Sequence, residues 1–381
     1  VPPEMVEKVA PLGHGEFRAW GDQIAEADLA ATVERRAAKL QQVFGADIAA
    51  GRRPTLQYLA ISGGGQWGAF GAGVLKAWTA SGTRPEFFVV SGISTGALIA
   101  PFAFLGPQYD ATLETIYKTV KTDDLLTRTI FSGITSGTSL ADTAPLARMI
   151  ATYITPELLA EIAQEYRRGR DLLVGTTNLD ASRPVIWDMG AIAASGDPGA
   201  LALFRSIVLA SASIPVAFPP VFIEVTGPDG SIYDEMHVDG GATSQVTLAS
   251  PQLAGALASQ KALRTAFHRK LYVLMNNDVL PVYTPVRPRL PAIGSTAISS
   301  LIRAGGIGDV YKLYTLAAEN GVEFKVAWIP TGLPCAPEEA FDPDFMTCLF
   351  AIGEEAFRRG TLWREVPPFH SEEAAAQPPR S

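Results

Sequence analysis

Residues 55–68, TLQYLAISGGGQWG, and residues 87–96, FFVVSGISTG, decide the fold. Each opens as an apolar run of strand length, Leu56–Ser62 and Phe87–Ser91. Each then turns at glycines and enters a helical pattern, Gly68–Thr79 and Ala97–Phe104. Strand, glycine turn and helix, twice over, is the signature of parallel β-α units. Working outward, strand patterns recur at Leu172–Thr176, Val185–Asp188, Val221–Val225, Glu235–Val238, Leu271–Met275 and Phe324–Ile329. Helical patterns lie between several of them, at Ala111–Val120, Ala144–Tyr153 and Pro156–Arg167. The expected architecture is α/β around a central, mostly parallel sheet.

Residues 1–54 read as a lead-in. Within it, Leu29, Val33, Ala37, Leu40 and Val43 recur near the helical period, so Asp28–Phe44 is expected to be a helix packed on the body. Residues 55–366 are expected to form the main domain. Val279–Pro291, with Pro281, Pro285, Pro288 and Pro291, reads as an extended loop, and residues 367–381 as a disordered tail.

Of the 381 residues, 47% are hydrophobic and 18% charged, enough to bury a large core and too apolar for global disorder. Lys and Arg number 31 against 39 Asp and Glu, a net charge of −8, which argues against nucleic acid as a partner. Two cysteines exclude a disulfide-rich scaffold or a zinc finger. They leave Cys335 and Cys348, thirteen apart, either as one bridge or as two unrelated thiols. The longest apolar stretches are Ala97–Leu105, broken by Pro101, and Ile207–Phe222, broken by Pro215, Pro219 and Pro220. Neither reaches the ~18–20 residues of a membrane span. Ile207–Phe222 reads as core or as the rim of a substrate groove. The chain starts at Val1 without a basic-then-apolar leader, which suggests a leader removed or a trimmed sequence.

Three constellations carry chemistry. In Gly92-x-Ser94-x-Gly96 a serine sits at a sharp strand-to-helix turn, where glycines permit the bend and the new helix points N–H groups toward the hydroxyl. The run Gly63-Gly64-Gly65-Gln66-Trp67-Gly68 reads two ways. As Gly63-x-Gly65-x-x-Gly68, with Glu86 downstream, it matches a dinucleotide fingerprint. As three successive N–H donors at a helix start, it makes a concavity for the oxyanion of an acyl intermediate. The third is Asp239-Gly240-Gly241. A nucleophilic serine needs a base. Of the four histidines only His237 lies near a glycine turn, on the same strand face as Asp239. Both are candidates. No His, Cys or Asp spacing suggests a metal site.

Taken together, these motifs resemble the patatin-like phospholipase family. The stretch ASASIP, residues 210–215, with Phe218-Pro219-Pro220, is similar to the family's segment ahead of its aspartate, and the likeness runs from about Thr55 to Thr243. The resemblance implies a three-layer α/β/α fold and a Ser-Asp dyad, with Ser94 as nucleophile and Asp239, rather than His237, as general base. It places Gly63, Gly64 and Gly65 in the oxyanion hole, with Gly68, Gly92, Gly96, Gly240 and Gly241 supporting the turns. The implied reaction is hydrolysis of lipid acyl esters (phospholipid, lysophospholipid or other carboxyl esters) through acyl-Ser94. No cofactor or metal is implied; the partners are the lipid or acyl ester and, through it, a membrane surface. Gln66-Trp67 departs from the pattern, since many such proteins carry Arg or Lys after the glycines, and this puts phospholipid preference in doubt. Trp67 reads as core or as substrate contact. GGGQWGAFGAG, residues 63–73, resembles patatin-like proteins of bacterial envelopes, which implies an exported chain anchored through a lipoprotein leader. An acyltransferase using the same dyad, a silent lipid-binding envelope protein and a dinucleotide binder are the alternatives.

Overall fold

The computed structural model describes residues 1–125, 127–128, 141–215, 217–248, 251–259, 265–279 and 285–370. The sheet has nine strands: β1 (Arg18–Trp20), β2 (Thr55–Ile61), β3 (Val89–Ile93), β4 (Asp171–Asn178), β5 (Arg183–Asp188), β6 (Val221–Thr226), β7 (Ile232–Asp239), β8 (His268–Met275) and β9 (Glu323–Trp328). Its order is β1-β5-β4-β3-β2-β8-β9, and five neighbours, β4-β3-β2-β8-β9, run parallel. On the other side of β4 the sheet turns antiparallel, through β5 to β1.

The longer helices are α1 (Glu26–Ala49), α2 (Gly68–Ala80), α3 (Thr95–Leu105), α4 (Asp110–Thr119), α5 (Ala144–Tyr153), α6 (Pro156–Arg167), α7 (Met189–Ala194), α8 (Ala200–Ser211), α9 (Pro251–Ser259), α10 (Leu290–Glu319) and α11 (Pro343–Arg358). They cover both faces of the sheet, as parallel strands require. Side chains alternate along a strand. Leu59 and Ile61 of β2, with Tyr272 and Leu274 of β8, therefore pack with Phe70 and Val74 of α2 and Leu349 and Phe350 of α11. Ala60, Val273 and Met275 point the other way, against Val310, Leu313 and Ala317 of α10. The result is the expected three-layer α/β/α arrangement.

In line with the helical pattern at Ala97–Phe104, α3 runs through Pro101, from Thr95 to Leu105. Proline removes one backbone donor and crowds the preceding turn. Here the helix is buried almost all round, and packing overrides that cost. Its last carbonyls are also satisfied, Ala103 O by Arg84 at 3.1 Å and Phe104 O by Arg170. One expectation is corrected: the proline-rich stretch does not stay extended to Pro291, because α10 begins at Leu290 with a proline in its first turn, where no intrahelical N–H is needed. Residues 280–284 of that stretch, and 371–381 of the expected tail, lie outside the described residues. The lead-in contributes a strand as well as a helix, since β1 pairs with β5 at the sheet edge.

Candidate active site

Ser94 stands between β3 and α3 with φ 56° and ψ −124°, a backbone that non-glycine residues rarely adopt. The flanking glycines make this turn sterically possible. A Cβ on Gly92 would lie 2.1 Å from Gly96 O, and one on Gly96 would lie 2.4 Å from Ile61 O. The strained turn is held by Ser211 at the end of α8. The Ser94 N–H donates to Ser211 Oγ at 2.9 Å, and that hydroxyl donates to Gly175 O at 2.7 Å.

Asp239 reaches Ser94 through the sheet. β3 ends where Ile93 pairs with Gly175 of β4. β7 enters the same flank of β4 from the opposite direction, pairing Asp239 with Thr176. One strand thus seats nucleophile and carboxylate in consecutive register positions. The Asp239 N–H donates to Ser213 O at 2.8 Å, and its Oδ1 accepts from Gly241 N at 2.7 Å. Burial pushes the Asp239 carboxyl up from 3.8 to about 7, against the neighbouring Ser94 hydroxyl and the Gly241 N–H, which both favour its charge.

His237 sits two residues away and does different work. Its Nε2 lies 3.2 Å from Glu235 Oε2 and its Nδ1 lies 3.0 Å from Thr176 Oγ1, which also accepts from Trp187 Nε1 at 2.7 Å. Burial holds the ring's pKa below its ordinary value despite the Glu235 carboxylate. A neutral ring donating to Glu235 and accepting from Thr176 uses both nitrogens. Burial alone would raise Glu235, but hydrogen bonds from His237 and Arg18 outweigh it and bring its pKa to about 2. Arg18 clamps Glu235 from β1, so the lead-in anchors β7.

The glycine run follows β2. The Gly63 N–H is spent on Gln245 O at 3.2 Å, whereas among the described residues the Gly64 and Gly65 amides donate to no protein acceptor. Gly64 has φ 152°, and a Cβ there would lie 2.0 Å from Asn276 O; Gly65 has φ 56° and open space around it. Two asparagines beyond β8 brace the run. Asn276 donates its Nδ2 to Ser62 O at 3.1 Å, and its Oδ1 accepts from Gly71 N; Asn277 Nδ2 donates to Gly63 O at 3.0 Å. Gln245 joins the two motifs, with Nε2 donating to Gly241 O at 3.1 Å. Sequence reasoning missed Gln245, Asn276 and Asn277 as positioning residues. For the asparagines a signal existed: they follow a strand pattern, and sites in parallel sheets gather at the strands' carboxyl ends.

A small apolar cleft, about 50 Å³, opens at Ser94 and Gly65. Leu98, Met149, Ile214, Phe218, Phe341 and Met346 line it. Ile207–Phe222 is thus core in α8 and cleft wall at Ile214 and Phe218. Cys335 and Cys348 form a disulfide that ties the segment bearing Phe341 to α11. That segment also receives the departure from the basic pattern. Gln66 Oε1 accepts from Asp342 N at 3.0 Å, and the Trp67 ring meets Phe345 edge-on at 5.0 Å. Gln66 and Trp67 therefore lock the glycine run to the cleft wall. Replacing both cysteines by serine is expected to cost about 2–3 kcal/mol of stability. It should raise KM for long-chain esters while barely moving kcat on acetates; equal kinetics and Tm would show that the tether does not shape the cleft.

The patatin-like phospholipase family model matches residues 59–250, half of the chain. The chain belongs to the patatin-like phospholipase family. Membership supports lipid-ester hydrolase activity, and the match holds Gly63, Ser94 and Asp239 alike. Similar folds occur among solved structures. VipD from Legionella pneumophila is 11% identical with a TM-score of 0.38, over 80% of this chain and 67% of VipD. Full-length ExoU from the type III secretion system of Pseudomonas aeruginosa, solved with SpcU, is 15% identical with a TM-score of 0.32, over 82% of this chain. The alignment spans about half of ExoU, 54%. A search of curated proteins returns no match. Among the described residues no helix is long and apolar enough to cross a membrane, and no group of acidic, His or Cys side chains is arranged to hold a metal ion.

Proposed function

We propose that this patatin-like protein hydrolyses lipid carboxyl esters through a Ser94–Asp239 dyad. The observation that carries the reading is the buried Asp239 carboxyl, set beside Ser94 where β3 and β7 meet on one flank of β4 and pushed up to about 7 by burial. A free aspartate, with a pKa near 3.9, is a weak base at neutral pH. Burial brings Asp239 into the operating range. The Asp239 carboxylate takes the Ser94 proton as Oγ attacks the ester carbonyl. The oxyanion that forms accepts from the unspent N–H groups of Gly64 and Gly65, while Gly63 holds the run to Gln245. Collapse expels the alcohol, which takes the proton back from Asp239. Water, activated by the same carboxylate, then hydrolyses acyl-Ser94. The cleft at Ser94 receives the acyl chain. With Gln66 and Trp67 turned to the cleft wall, recognition rests on the chain rather than on a headgroup phosphate.

A fluorophosphonate probe should modify Ser94 and no other serine, as read by peptide mass spectrometry; labelling elsewhere would sink the dyad. Because the free base must be ionised, kcat/KM should rise about tenfold per pH unit below pH 7 and level off above it. A profile flat from pH 5 to 8 would remove Asp239 as the base. Stability should run the other way. The folded protein holds a proton on Asp239 that the unfolded chain releases near pH 3.8, so this group's contribution is lost between pH 4 and about 7. The disulfide suits an oxidising compartment, in line with export to the bacterial envelope. Fractionation of the native host tests that address.

A further inference from the structure

α10 is 30 residues long, yet it follows β8, which has 8. It connects two parallel strands, so its first half lies toward the carboxyl ends of the strands, where Ser94 stands. Its buried stripe, Val310, Leu313 and Ala317, begins at Gly306. A Cβ on Gly306 would lie 3.3 Å from the Cβ of Gln245, the residue that joins the Gly63 and Asp239 motifs. The sixteen residues from 290 to 305, about 24 Å of helix, run on past that contact, and no described side chain among them is buried. The overhang and the segment before it expose apolar side chains: Val286 at 43%, Ile293 at 50% and Leu301 at 73%. Between Asp278 and Asp309 the chain carries Arg287, Arg289 and Arg303 and no acidic residue, in a protein whose net charge is −8. Arg287 and Arg289 are exposed.

We propose that the overhang of α10 docks the enzyme on an anionic phospholipid surface. Exposed aliphatics enter the interface while arginines meet the headgroups, the combination that holds an amphipathic helix in the plane of a bilayer. Gly306 against Gln245 puts the docked helix next to the glycine run, so the substrate has a short way from the bilayer to the cleft. The proposal rests on the hydrolase reading for that last step only.

The test uses vesicles of phosphatidylcholine with and without phosphatidylglycerol, and the Ser94→Ala protein, so that lipid is not consumed. Binding should favour the anionic vesicles and weaken with salt. Arg287→Gln and Arg289→Gln should each lower affinity about fivefold. Ile293→Gln with Leu301→Gln should lower it about tenfold or more. Restored to Ser94, the same variants should lose vesicle-lipid hydrolysis in proportion and keep p-nitrophenyl acetate hydrolysis and Tm. Equal vesicle binding in all variants overturns the proposal. So does a Leu301-dependent dimer that ignores vesicles, which would make the overhang a contact between copies. If the wild type fails on the soluble ester while the variants still lose vesicle binding, the hydrolase reading falls and the docking surface stands.

Discussion

Asp239→Asn should lower kcat/KM on a short p-nitrophenyl ester by roughly 10³–10⁴ and leave the protein folded. The side chain keeps its shape and an oxygen for the Gly241 N–H, but it cannot take a proton. A stability gain should accompany the loss. Raising a carboxyl from 3.8 to about 7 amounts to about 4 kcal/mol held against folding near neutral pH. An amide sheds that cost, so Tm at pH 8 should rise in the variant, the usual trade between an active site and stability. Ser94→Ala should remove turnover by a factor on the order of 10⁶. His237→Ala separates the rival bases. It should keep most of the turnover while destabilising the fold by about 2–4 kcal/mol, because Glu235 and Thr176 lose a shared buried partner. Turnover retained in Asp239→Asn and lost in a folded His237→Ala would reverse the assignment.

The second large effect is expected at Gly64. An alanine there puts Cβ 2.0 Å from Asn276 O, a backbone atom pinned by the neighbouring strand, at a φ of 152°. The run must move, and its N–H groups lose their aim at the ester carbonyl. A drop of about 10²–10³ in kcat is expected per misplaced donor, along with roughly 3 kcal/mol or more of stability. Gly65→Ala is the control. Its φ of 56° strains an alanine by about 1–2 kcal/mol, but no atom stands within 4 Å of the new methyl. A backbone donor does not need its own residue to lack a side chain, so Gly65→Ala should keep most of the activity. Equal losses in the two variants would mean that conformation at Gly65, and not the position of the run against Asn276, sets the donors.

Much of this architecture was legible because its causes are local. The β-α units show in apolar runs ending at glycines, and β2, β3, β4 and β8 lie where those runs predict. The elbow at Ser94 shows because the atoms that forbid side chains at Gly92 belong to the same few residues. β1 did not show, since Arg18–Trp20 is too short to carry a period. α8 was hidden in a stretch apolar on every side, ending in the serines that hold the site. The midpoint of α10 shows no clear face in sequence, because only its second half packs on the sheet.

The class of fold, the turn that carries Ser94 and the aspartate-glycine motif at 239 are readable along the chain, each set by steric needs within a few residues. The sequence left open which residue faces Ser94, whether the two cysteines join, and what Gln66 and Trp67 contact. Those were decided by β7 entering beside β3 on one flank of β4, by Cys335 meeting α11, and by Asp342 closing over Gln66. Each pairs residues separated by a loop, a helix or most of the chain, and partners brought together by packing leave no pattern at either position.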